Sequence, residues 1–144
     1  MEKILVALDP GKTSIWAAIH GLNLARRIRA KVYVLVVSAP KGSVDVEGRL
    51  WQDVKEEIEA LVEQARSEGI SVDLYVAFGH YDEEVVKFIR DNKVTLLVLG
   101  VPLPGTGSFR SKFFDFVEKI RQRVDCKIEI VNEKGVKITG KRSE

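Results

Sequence analysis

The residues whose types and spacing suit chemistry cluster between Thr95 and Glu118, in TLLVLGVPLPGTGSFRSKFFDFVE. An apolar run ends at Gly100. A loop with Pro102, Pro104, Gly105 and Gly107 follows, then the hydroxyl of Ser108 and the cations Arg110 and Lys112. Loop amides and the first N–H groups of a helix have no intrahelical partners and sit at the positive end of the helix dipole, so a junction of this kind attracts anions. Two readings of the loop stand side by side. In one, Gly105, Gly107, Ser108, Arg110 and Lys112 build an anion site from amides, hydroxyls and cations. In the other, the loop is a connector whose basic residues are merely solvated. The spacing of Asp115 and Glu118 predicts a D-x-x-E capping box, with the helix opening at Asp115 and using the same donors internally. On that expectation the chain fills its own anion site.

Asp9 is the second candidate, because it follows the apolar run KILVAL at the carboxyl end of a strand, where open α/β sheets receive ligands. Its carboxylate can accept hydrogen bonds from a ribose or an adenine amino group, or close the strand as an Asx turn before Pro10-Gly11. Gly11-Lys12-Thr13-Ser14 resembles the end of a phosphate-binding Walker loop, but the required first glycine would fall on Val6. Lys12 therefore reads as a loop residue, with Thr13 or Ser14 capping a helix. His20 and His80 have no second metal ligand at useful spacing and read as non-catalytic. Glu56, Glu57, Glu59 and Glu63 read as the wet face of an acidic helix. No Ser/His/Asp or Cys/His order is present, so an enzyme is not the leading expectation.

The elements that must position these residues alternate. Lys3 to Leu8, Lys31 to Val37, Ser71 to Phe78, Thr95 to Leu99 and Lys127 to Val131 read as strands, and Ser71 to Phe78 alternates in part as an edge strand does. Helices are expected from Thr13 or Ser14 to Arg29, from about Gly48 to Gly69, from Asp82 to Asp91, and from Asp115 to Val124. On the first helix Ala17, Ala18, Gly21 and Ala25 form a small-residue stripe that lets it lie close on a sheet. Ile15, Trp16 and Ile19 point the other way, to be covered by Leu50 and Trp51 within the monomer or by a partner surface. Alternating strands and helices imply parallel strands joined by right-handed crossovers. The expectation is one α/β domain over residues 1–131, with 132–144 a basic tail or a hairpin in which VKIT pairs back after the turn signal NEKG.

Composition bounds the function. The 144 residues carry 23 Lys plus Arg against 21 Asp plus Glu, a net charge of +2, so no strong field marks a nucleic-acid binder. The charge is uneven, with an acidic stretch from Asp53 to Glu68 and a basic one from Arg110 onward. Cys126 is the single cysteine, which excludes an internal disulfide and fits a reducing interior. No stretch approaches the ~20 apolar residues of a membrane span, and no signal-peptide pattern opens the chain. A cytoplasmic protein without membrane or nucleic-acid contact is expected.

KILVALDPGKTS, the helix ending ARRIRA, VYVLVV, FGHYDEEVVKFI, LLVLG and CKIEIV, taken in order from Lys3 to Val131, resemble the universal stress protein family. The resemblance implies a Rossmann-like, open five-stranded parallel sheet of order 3-2-1-4-5 with helices on both faces, usually dimeric. ATP-binding members carry Gly, two residues, Gly, nine residues, then Gly-Ser or Gly-Thr. Carried over, the first glycine matches Gly100, the carboxylate matches Asp9, and Val37 at the end of the second strand lies beside an adenine. Counted back from Cys126, however, the Gly-Ser pair falls on Phe114-Asp115, and the second glycine falls on Pro104 unless a small gap moves it to Gly105. An acid facing a triphosphate at ~4 Å costs about 1 kcal/mol even in bulk water. The expectation is therefore a regulatory, stress-type binding protein that does not hold ATP in the family's manner. It would be homodimeric through KIEIV, the last strand, with a protein partner. The alternative is a nucleotide-binding member, slowly hydrolysing ATP or holding another adenine nucleotide, built on the loop from Gly100 to Ser108.

Overall fold

Ile4 to Leu8 are all buried, and alternate members enter two different cores: Ile4, Val6 and Leu8 pack on one side of the sheet, Leu5 and Ala7 on the other. A strand apolar on both faces must be covered on both, which is why β1 (Glu2–Leu8) lies in the middle of the sheet. The structure, a computed structural model, describes residues 1–8, 14–38, 46–101, 108–132 and 135–138. At 14, 46–54, 108–112, 132 and 135–138 the backbone alone is described.

The remaining elements are α1 (Ser14–Arg27), β2 (Ala30–Ser38), α2 (Val46–Ser67), β3 (Ser71–Phe78), α3 (Tyr81–Asn92), β4 (Leu96–Gly100), α4 (Ser108–Arg123), β5 (Lys127–Asn132) and β6 (Gly135–Ile138). The sheet order is β3-β2-β1-β4-β5-β6, with every pair parallel except the antiparallel pair of β5 and β6. The first five strands have the expected 3-2-1-4-5 order. The sixth makes the hairpin, Asn132 pairing with Gly135 and Glu129 with Ile138. KIEIV is consequently flanked on both sides, by β4 and β6, and is not the open edge on which a dimer contact was expected.

Helices α1 and α2 cover one face and α3 and α4 the other. Ala17, Ala18, Gly21 and Ala25 are buried as the small-residue stripe requires. Gly21 shows why. A Cβ there would stand 2.5 Å from Val6 Cγ2, so any larger residue would lift the helix off β1. Ile15 packs on the same core, whereas Trp16 remains 40% exposed. Leu50 and Trp51, offered as its cover, lie outside the residues whose side chains are described.

The largest departure from the sequence reading is α4. It starts at Ser108, seven residues before Asp115. Phe113, Val117 and Ile120 recur at helical spacing and are buried against β4 and β5 residues, so the apolar stripe needs the helix to extend back beyond Phe113.

Candidate functional site

In a sheet whose helices change face, the crevice lies outside the carboxyl ends of the strands where the change occurs. The helix after β1 goes to one face and the helix after β4 to the other, so the switch lies between these two neighbouring strands. The register sets Leu8 beside Val36 on one side, and Ala7 beside Leu99 on the other. Val37, 4% exposed at the end of β2, and Gly100, buried at the end of β4, thus flank the end of β1, about two strand spacings or ~10 Å apart. Two of the anticipated site residues are brought together in this way. Ser108 is the first residue of α4 and Arg110 lies in its first turn. Asp9, Gly105 and Gly107 lie outside the described residues.

Asp115 does not take the place expected of it. With α4 beginning at Ser108, Asp115 sits two turns inside the helix, about 10 Å along the axis from its start. It is exposed, as is Phe114 at 52%. Neither a capping box at Asp115 nor an acidic lid on the phosphate position survives. The helix opens instead on Ser108, and its first turn holds no acid. The first turn of α1 holds none either.

The helix that follows the edge strand is built the other way. α3 carries Asp82, Glu83 and Glu84 in its first turn, behind an extended N-cap at His80 that makes no side-chain cap bond. The carboxylate of Glu84 lies so close over Gly79 that a Cβ there would stand 2.7 Å from Glu84 Oε2. Acids beside free amides offset the positive end of the helix dipole. At the same carboxyl rim Tyr81 donates its hydroxyl to the Ala7 carbonyl at 3.1 Å, and its ring centre lies 5.8 Å from that of Phe116 at a 45° tilt. Tyr81 ties α3 to the end of β1. Sequence reading passed over it, and its only signal was a tyrosine just after the Gly79 turn.

The other reactive groups are engaged elsewhere. His20 Nε2 lies 2.7 Å from Glu129 Oε1, joining α1 to β5. Burial pushes the Cys126 thiol up to about 11, so it is neutral near pH 7 and a poor nucleophile. No group of three or more His, Cys, Asp or Glu able to hold a metal occurs among the described residues. Among the same residues no helix is long and apolar enough to cross a membrane.

The chain is similar in fold to several solved structures, all distant in sequence. A universal stress protein in complex with cAMP matches with a TM-score of 0.67 and 17% identity over 90% of this chain and 96% of that one. A universal stress protein from Archaeoglobus fulgidus in complex with dAMP matches with a TM-score of 0.63 and 17% identity, covering 90% and 97%. A family member from Arabidopsis thaliana with AMP bound matches with a TM-score of 0.60 and 14% identity, covering 92% of each chain. In sequence, a universal stress protein of Methanocaldococcus jannaschii is 24% identical over 141 residues, which span 92% of this chain and 82% of the relative. The model of the universal stress protein family matches residues 1–128. With that model matched over residues 1–128 and the first five strands in the order 3-2-1-4-5, the chain belongs to the universal stress protein family.

Proposed function

We propose that the protein binds an adenine nucleotide at the carboxyl ends of β1, β2 and β4, using the loop from Gly100 to Ser108 for the phosphate. The observation that carries this is the start of α4 at Ser108 with no acid in its first turn. No acid of the helix's own first turn competes for its amides. In the proposed complex Asp9 accepts hydrogen bonds from the ribose or the adenine amino group and Val37 packs beside the base. Gly100 allows close approach of the backbone, while Gly105, Gly107, Ser108 and Arg110 receive the phosphate. Relatives whose structures hold cAMP, dAMP and AMP support the ligand class. The competing view, a protein that works through partner contacts because it cannot hold ATP, rested on Asp115 facing the phosphates. Across ~10 Å of water that repulsion falls to about 0.4 kcal/mol.

The remodelled loop also affects which nucleotide is held. The family motif spaces its first glycine thirteen positions from the Gly-Ser glycine, whereas Gly100 and Gly107 are seven apart. A loop six residues shorter offers fewer amides to the outer phosphates. ATP is therefore expected to bind no more than about tenfold tighter than AMP, the worth of one net hydrogen bond to a charged group. Isothermal titration with ATP, ADP and AMP tests both statements, together with mass spectrometry of nucleotide released when the purified protein is denatured. Absence of heat with all three, and of co-purified nucleotide, refutes the proposal.

A further inference from the structure

The proposed crevice is bounded by the ends of β1, β2 and β4, and the end of a strand is where its ladder frays first. A site built on such ends binds weakly unless they are held before the ligand arrives, because ordering them on binding subtracts from affinity. One short stretch of chain holds two of the three. The Gly79 amide donates to the carbonyl of Ser38, the last residue of β2, at 2.9 Å. Two residues on, the Tyr81 hydroxyl donates to the carbonyl of Ala7, next to last in β1, at 3.1 Å. The third end is held within the sheet, where the Val101 amide donates to the Val131 carbonyl at 2.9 Å.

Tyr81 makes a second contact. Its half-buried ring lies with its centre 5.8 Å from that of Phe116 on α4. Phe116 follows Ser108 by eight residues, a little over two turns, and a helix moves as a rod, so a shift at Phe116 is carried to the start of α4. The hydroxyl thus reaches the strand that leads to Asp9, and the ring reaches the helix whose start receives the phosphate in the proposed complex. One side chain spaces the two ends of the ligand.

We infer that Tyr81 is a positioning residue of the nucleotide site, its hydroxyl setting the base-and-ribose half through Ala7 and its ring setting the phosphate half through Phe116. The inference rests on the proposed function, since it concerns how that same crevice is held. Tyr81 does not touch the ligand and acts through the groups it holds. A tyrosine with a merely structural role would add stability and leave the affinity of the folded protein alone. A positioning tyrosine changes that affinity, and the two parts of its side chain act on different parts of the ligand.

Titration calorimetry of the full chain with AMP and with adenosine, at a temperature well below every melting midpoint, tests this. Tyr81→Phe keeps the ring and deletes the hydroxyl. It should weaken AMP and adenosine alike by about fivefold, the worth of one neutral hydrogen bond, and hold the ratio of the two affinities within about twofold of wild type. Tyr81→Leu deletes the ring as well. It should weaken AMP further and lower the AMP-to-adenosine ratio about threefold or more, from the loss of one aromatic pair and the displacement of the phosphate donors. Circular dichroism checks that each variant is folded at that temperature. Amide exchange without ligand gives an independent reading: the amides of Ala7 and Leu8 should exchange about fivefold faster in Tyr81→Phe. If wild type binds AMP and Tyr81→Phe equals it in both affinities, the inference is overturned and the proposed function stands. A ratio that Tyr81→Leu does not move, or exchange at the end of β1 that ignores the hydroxyl, would overturn it in the same way. No binding of either ligand by wild type would overturn both.

Discussion

Two helices on the same face of the sheet, α3 and α4, begin at the same rim and end their dipoles in opposite ways. α3 starts after the edge strand and brings Asp82, Glu83 and Glu84 into its own first turn. α4 starts beside the switch between β1 and β4 and brings Ser108 and Arg110, with no acid. The free amides of a helix start need an electron-rich partner from somewhere. One helix has acids of its own chain there, and in the proposed complex the other receives the phosphate. The proposed phosphate position rests on this difference more than on any single residue, because it is made by one sequence within one layer of one fold.

Moving the acid from one helix to the other is the most severe way to test the contrast. Ser108→Asp would give α4 the in-chain partner that α3 has. Nucleotide affinity should fall about fivefold or more in titration calorimetry, from about 1 kcal/mol or more of repulsion at ~4 Å. The thermal midpoint should hold or rise, since an acid at a helix start contributes ~0.3–1 kcal/mol. Loss of binding without loss of stability is the signature, and equal loss of both would break the comparison. Asp9→Asn tests the other end of the ligand. Replacing a charged acceptor should weaken ATP and AMP alike by about tenfold, the worth of one hydrogen bond to a charged group.

Stripping the acids from α3 should do the reverse. Asp82→Asn with Glu84→Gln is expected to cost about 1 kcal/mol, a fall of ~3 °C in the melting midpoint by calorimetry, with nucleotide affinity unchanged. The smallest effect belongs to Asp115→Ser, which should change affinity by less than about twofold. A large gain in affinity from that substitution would restore Asp115 to the phosphate position and remove the distinction between the two helices.

The placement of Asp115 shows where reading the chain succeeded and where it failed. The runs KILVAL, KVYVLVV and LLVLG are apolar without interruption, and only a strand covered on both faces accepts that pattern. The stripe of Ala17, Ala18, Gly21 and Ala25 was equally plain, and Gly21 meets Val6 just where the stripe requires. At α4 two local signals competed. The D-x-x-E pattern at Asp115 marked a helix start, while Phe113, Val117 and Ile120 marked a longer helix. Burial decided between them: Phe113 is 1% exposed in the core under β4. The capping box can be worth ~1 kcal/mol, whereas burying a phenylalanine is worth ~1.5–3 kcal/mol, so the apolar period prevails. The bond from Tyr81 to Ala7 was hidden for a different reason. It joins residues 74 positions apart, and nothing local records such a pair.

The amino-acid sequence by itself determined the alternation of strands and helices, the doubly covered β1 and β4, and the small-residue face of α1. Each of these follows from the periodicity of apolar residues within a few turns of chain. The tertiary structure alone decided that α4 reaches back to Ser108, that Val37 and Gly100 flank the end of β1, and that β6 covers β5 while β3, among the described residues, pairs with β2 alone. These features depend on which distant surfaces compete for burial and for backbone hydrogen bonds, and that competition is settled only when the whole sheet is assembled.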